Sequence, residues 1–135
     1  MTRMWERLFI GGIADAEQLA VDNPERITTV VTLCNLAVQE KRWDINYLHL
    51  PFEDGLPVPV RKFDSIIDSI AENVRWGRVL LHCNLGVSRA PSIAAAWMHV
   101  VGFRNIDAAL DKIRRAHPDI WPSEILLESL RRHLA

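Results

Sequence analysis

Apolar residues along this chain fall either into short runs with almost no charge or into longer stretches at helical spacing. Residues 27–34 form the longest of the short runs, β-branched and nearly all apolar. They predict a strand covered on both faces and central in a sheet. Residues 7–12 read as a shorter strand ending at Gly11-Gly12, and residues 78–82 as a third buried strand. Residues 45–51 alternate in the manner of a further strand, then break at Pro51 before the loop Glu53-Asp54-Gly55-Leu56-Pro57.

The helical periods lie between and after these runs. Residues 14–20 allow one or two turns. Phe63, Ile66, Ile67, Ile70 and Val74 share one face, with Lys62, Asp64, Asp68 and Glu72 between them, so residues 60–76 predict an amphipathic helix ended by Gly77. Residues 91–101 are apolar almost all round and predict a helix within the core. Two more amphipathic helices are expected at 106–116, through Ile106, Leu110 and Ile113, and at 122–134, through Leu126, Leu127, Leu130 and Leu134. Pro122 suits the first position of the second. Strands alternating with helices define an α/β fold, a mostly parallel central sheet flanked by helices. Residues 1–135 are expected to form a single domain, without internal repeats or a linker.

Composition narrows the function classes. Sixteen Lys and Arg face 17 Asp and Glu, a net charge of −1, so no basic field is present to hold nucleic acid or an anionic membrane non-specifically. No apolar run approaches the roughly 20 residues a membrane span needs. The stretch 8–13 is too short for a signal segment, and a cytoplasmic monomer is expected. Two cysteines, Cys34 and Cys83, are too few for a disulfide scaffold. Neither belongs to a C-x-x-C pair, and the five histidines show no helical pair at metal-ligand spacing, so no metal is expected.

Candidate chemistry concentrates at residues 82–92. His82 ends a buried strand, Cys83, Asn84, Leu85, Gly86, Val87 and Ser88 make a glycine-bearing turn, and Arg89, Ala90, Pro91 and Ser92 open the apolar helix. Backbone N–H groups of residues 84–89 can then converge on one concavity that also receives the positive end of the helix dipole, which makes an anion site. A thiol at the mouth of such a turn is expected to be held as the nucleophilic thiolate. The planar fork of Arg89 can hold two phosphate oxygens during attack. Expelling an alkyl or aryl oxygen requires an acid to protonate it. Asp54, in the loop after the strand at 45–51, is the leading candidate and Glu53 the weaker one.

The segment resembles the H-C-x5-R signature of the dual-specificity group of the protein tyrosine phosphatase superfamily, matched by His82, Cys83, Gly86, Ser88 and Arg89. The resemblance extends to Leu8-Phe9-Ile10-Gly11-Gly12, to Asp54, and to Ala116-His117-Pro118 with Trp121-Pro122-Ser123. It implies Cys83 as nucleophile, Arg89 as phosphate ligand together with the loop residues 84–88, and Asp54 as acid and then base. His82 would be a supporting neighbour. It implies no metal or organic cofactor, and a phosphorylated protein or peptide as substrate. One departure stands out: members of the group commonly carry Ser or Thr after the arginine, where this chain has Ala90, and slower hydrolysis of the intermediate is expected. Leu33-Cys34-Asn35 resembles the strand end where some superfamily members hold a cysteine that forms a disulfide with the nucleophile, making Cys34 a redox partner by resemblance.

Plainer readings stand beside these. Cys34 fits ordinary core packing and Asp54-Gly55 an ordinary turn. Trp97 reads as core, Trp121 as a rim residue, and the pairs Arg114-Arg115 and Arg131-Arg132 as solvated helix faces. Two rival functions are a phosphate-binding module without turnover, which would not need a thiolate, and a sulfur-transfer domain, which would not need Asp54. A phosphatase acting on a non-protein phosphoester also remains open. The loop offers no basic residue besides Arg89, which favours phosphoprotein over polyanionic lipid substrates.

Overall fold

In the computed structural model, which describes residues 1–135, the chain runs through ten elements. They are β1 (Thr2–Trp5), β2 (Leu8–Gly11), α1 (Ile13–Gln18), β3 (Thr29–Thr32), β4 (Asn46–His49), α2 (Val60–Val74), β5 (Val79–His82), α3 (Arg89–Val100), α4 (Ile106–Ala116) and α5 (Glu124–Leu134). The sheet order is β1-β2-β5-β3-β4, with β2, β5, β3 and β4 parallel and β1 antiparallel at one edge. The mostly parallel α/β architecture expected from the sequence is therefore present.

Each inner strand is buried on both faces, which is what its unbroken apolar composition requires. Alternate residues go to opposite sides. Leu8, Ile10, Val31, Val79 and Leu81 join the larger core with Ile66, Ile70, Ile93, Met98, Leu110 and Leu126 from the helices. Phe9, Val30 and Leu80 point the other way, onto Ala16 and Leu19 of the α1 side and onto Ile27 and Ile45. Helix α3 is the most deeply placed: residues 90–98 are all buried.

Four expectations change. The run at 27–34 was expected to be the central strand, but β5 is the middle strand and β3 lies between it and the edge strand β4. The two runs have the same all-apolar character, and only their partners distinguish them. The core helix starts at Arg89, two residues before Pro91, which falls in its first turn where a missing N–H costs nothing. Pro122 lies before the final helix: Ser123 is its N-cap, accepting from the Leu126 N–H at 3.3 Å. Strand β1 was not expected at all. It pairs with β2 in a hairpin whose turn holds Glu6 at φ 45.

Candidate active site

The parallel strands end together, and their C-terminal ends form the site, as open α/β sheets commonly arrange. Residues 83–88 leave β5 and curl into α3. Gly86 adopts φ 76, and a Cβ there would lie 2.7 Å from the backbone carbon of Gly11. Gly12 is constrained from the other side, since a Cβ on it would meet the Asn84 carbonyl oxygen at 2.8 Å. The loop is tied to this glycine pair by Ile13 N–H to the Asn84 carbonyl (3.0 Å) and by Cys83 N–H to the Gly11 carbonyl (3.3 Å). The Gly11-Gly12 turn thus cushions the loop, a role the sequence did not reveal.

Within this loop no backbone N–H of residues 84–89 donates to a protein acceptor. Together with the start of α3 these groups offer a set of unfilled donors suited to a phosphate. Cys83 is 3% exposed and lines a pocket of about 180 Å³ together with Asp54, Asn84, Leu85, Val87, Ser88 and Arg89. The Arg89 guanidinium is anchored by Nη1 donating to the Phe52 carbonyl at 3.0 Å, which ties it to the loop carrying Asp54.

Asp54, far upstream in sequence, reaches the same pocket. Its Oδ1 accepts from the Ser88 hydroxyl at 2.8 Å and from the Gly55 N–H at 3.1 Å. Glu53 is exposed and does not line the pocket. A third loop closes the group: the Trp121 N–H donates to the Val87 carbonyl at 2.6 Å and the Ser123 N–H to the Ser88 hydroxyl at 3.0 Å. Trp121 itself is 83% exposed at the rim. Trp97 packs in the core, as expected.

His82 is fully buried next to Cys83, with Nε2 2.6 Å from the Thr32 hydroxyl and Nδ1 3.3 Å from the Cys83 carbonyl oxygen. Burial pushes its pKa down, opposed by the Cys83 carbonyl contact and by the field of Glu17. Cys34 is a free thiol, buried in the same apolar cluster as Cys83, with its Sγ 3.8 Å from the Leu36 carbonyl oxygen. Ala90 is buried and supplies no hydroxyl after Arg89, and the Ser92 hydroxyl donates to the Ser88 carbonyl at 2.7 Å, turned into its own helix. The sequence missed the Thr32–His82 contact and the Ser88 bridge, because both depend on distances between separate elements. No three His, Cys, Asp or Glu side chains cluster as a metal site, and no helix is long and apolar enough to cross a membrane.

A thiol and a guanidinium on one strand-turn-helix loop, with a carboxylate arriving from a neighbouring loop, define the protein tyrosine phosphatase-like class of fold and site. Residues 8–134 match the family described as "Dual specificity phosphatase, catalytic domain". The chain belongs to that family.

Among curated relatives, it is 30% identical over 139 residues to dual specificity protein phosphatase 18 of Rattus norvegicus, covering 96% of this chain and 65% of that protein. It is 30% identical over 121 residues to dual specificity protein phosphatase 15 of Homo sapiens, covering 86% of this chain and 40% of the relative. The chain thus spans less than two thirds of the length of either. The crystal structure of DUSP15 superimposes with a TM-score of 0.87 at 27% identity, covering 98% of this chain and 85% of that one. That of human DUSP28 gives 0.83 at 22% identity, covering 98% and 94%, a likeness of fold.

Proposed function

We propose that this chain hydrolyses phosphoprotein monoesters, phosphotyrosine and also phosphoserine or phosphothreonine, through a cysteinyl-phosphate intermediate. The observation that carries the reading is the convergence of Cys83, Arg89 and Asp54 on one small pocket with unfilled N–H donors. In the first step the Cys83 sulfur bonds to phosphorus, the phosphorus–ester oxygen bond breaks, and Asp54 gives its proton to the departing oxygen. Water then attacks phosphorus, Asp54 takes the water's proton, and the sulfur–phosphorus bond breaks to return the thiolate and inorganic phosphate. Arg89 and the loop N–H groups hold the equatorial oxygens throughout, stabilising charge as it develops.

A pocket of about 180 Å³ suits a phosphorylated side chain better than a whole small molecule, for which sites of roughly 300–1,000 Å³ are usual. Arg89 is the only cation lining it, which disfavours polyanionic headgroups. Both cysteines are free thiols, in keeping with a reducing, cytoplasmic setting.

Turnover of p-nitrophenyl phosphate tests the reading. Wild type is expected to be active, Cys83→Ser to lose at least about 10³-fold in kcat, and Asp54→Asn to lose most with poor leaving groups. Wild-type inactivity across pH 5–8, with a phosphopeptide still bound, would establish the rival binding module. Ala90 is the observation that favours that rival, because no hydroxyl follows Arg89 to assist breakdown of the intermediate. A burst of product followed by slow steady turnover is the outcome that would keep the enzyme reading and assign the slow step to Ala90.

A further inference from the structure

We infer that Ser88 is a positioning residue for proton transfer, holding Oδ1 of Asp54 so that Oδ2 carries the proton, and binding that carboxylate to the Trp121–Ser123 loop. The inference rests on Asp54 being the general acid of the proposed reaction.

Ser88 occupies the N-cap of α3, where a serine oxygen ordinarily accepts from an N–H of the first turn. It makes no such bond; its backbone is at φ −126 and ψ −72. The hydroxyl has one hydrogen and two lone pairs. The hydrogen goes to Asp54 Oδ1 at 2.8 Å, and a lone pair takes the Ser123 N–H at 3.0 Å. Ser88 is 6% exposed and so well fixed, whereas Asp54 sits on an exposed loop beside Gly55. A carboxylate on such a loop has many orientations open to it, and general-acid catalysis needs one.

The arrangement also differentiates the two carboxylate oxygens. Oδ1 accepts from both Ser88 and Gly55, while Oδ2 has no partner within the protein. An oxygen already accepting two hydrogens is the poorer proton carrier, so the proton resides on Oδ2. Since Ser88 does not cap its own helix, the N–H groups at the start of α3 stay open for the phosphate. One hydroxyl therefore serves both halves of the site, orienting the acid while leaving the anion cradle unfilled.

The test compares kcat/KM, which reports the step that expels the leaving group, for phenyl phosphate and p-nitrophenyl phosphate. The proteins are wild type, Ser88→Ala, Ser88→Thr, Asp54→Asn and the double variant Asp54→Asn/Ser88→Ala. Ser88→Ala is expected to lose about 10-fold on phenyl phosphate, a part of the whole general-acid effect, and markedly less on p-nitrophenyl phosphate, whose leaving group needs little protonation. Ser88→Thr should recover most of the loss. The double variant should be no slower than Asp54→Asn alone, because the hydroxyl acts only through that carboxylate.

Equal losses on both substrates, or losses that add in the double variant, would overturn the inference while leaving Asp54 in place. If Asp54→Asn shows no preference for the better leaving group, the acid assignment fails and this inference with it. Thermal melts identify any variant that does not fold. Ser88→Cys, similar in shape but a weak donor, supplies the same comparison if alanine is not tolerated.

Discussion

His82 is held fully buried between the Thr32 hydroxyl and the Cys83 carbonyl. Burial is the main reason its pKa lies below the ordinary 6.5. The unfolded chain therefore takes up a proton that the folded chain resists, and stability follows pH accordingly. The contribution is complete above about pH 6.5 and is lost as pH falls below that value towards the depressed folded pKa. Melting temperatures of the wild type should be level above pH 7 and decline from about 6.5 downward, and His82→Gln should flatten that decline. If both proteins decline alike, the slope belongs to another group. At this scale the signature residues were legible, because Cys83, Gly86, Ser88 and Arg89 are neighbours in sequence. The partners of Ser88 and His82 were not, since nothing local records which loop arrives opposite a hydroxyl or a ring.

Helices α4 and α5 show how far an element's pattern goes. Their apolar faces were readable, and α4 has the bounds its period predicts, with Asn105 capping it by accepting from the Ala108 N–H at 2.8 Å. Arg131 was expected on a solvated face. Instead it joins the two helices, through Asp107 of α4 at 2.8 Å and Glu124 and Glu128 of its own helix at 2.9 and 3.4 Å. These hydrogen-bonded carboxylates, Asp107 first and then Glu124, hold its guanidinium more firmly protonated than usual. The carboxylates are well exposed, so screening limits the gain. Arg131→Met should destabilise by no more than about 1 kcal/mol at low ionic strength, and the difference should vanish in 1 M salt, as denaturant melts would show. A loss unchanged by salt would assign the effect to packing of the side-chain stem. Strand β1 escaped the pattern for a related reason: four residues with only Met4 buried carry too short an alternation to be told from a loop.

Across the molecule, strand order was the information the sequence lacked, and it decides that the two cysteines follow neighbouring strands. Strands β3 and β5 are in parallel register, Thr32 beside His82, and the Leu33 N–H donates to the His82 carbonyl at 2.9 Å. The chain segments that follow bring Cys34 and Cys83 out of adjacent strand ends as free thiols. We propose that hydrogen peroxide oxidises Cys83 to a sulfenic acid with release of one water, and that the Cys34 thiol attacks this sulfenic acid to form a disulfide with release of a second water. Mass spectrometry after peroxide treatment should find the Cys34–Cys83 crosslink, reversed by dithiothreitol. Cys83 sulfinic acid with Cys34 still reduced would reject the pairing.

The hydroxyl turned away from its own helix has one more result. With the opening of α3 lacking its serine cap, an oxyanion held as proposed would take over that duty and become a terminal piece of the secondary structure itself. Occupancy of the pocket and rigidity of the most buried helix would then be two measures of one equilibrium, so that whatever filled the cradle would also tighten the centre of the protein.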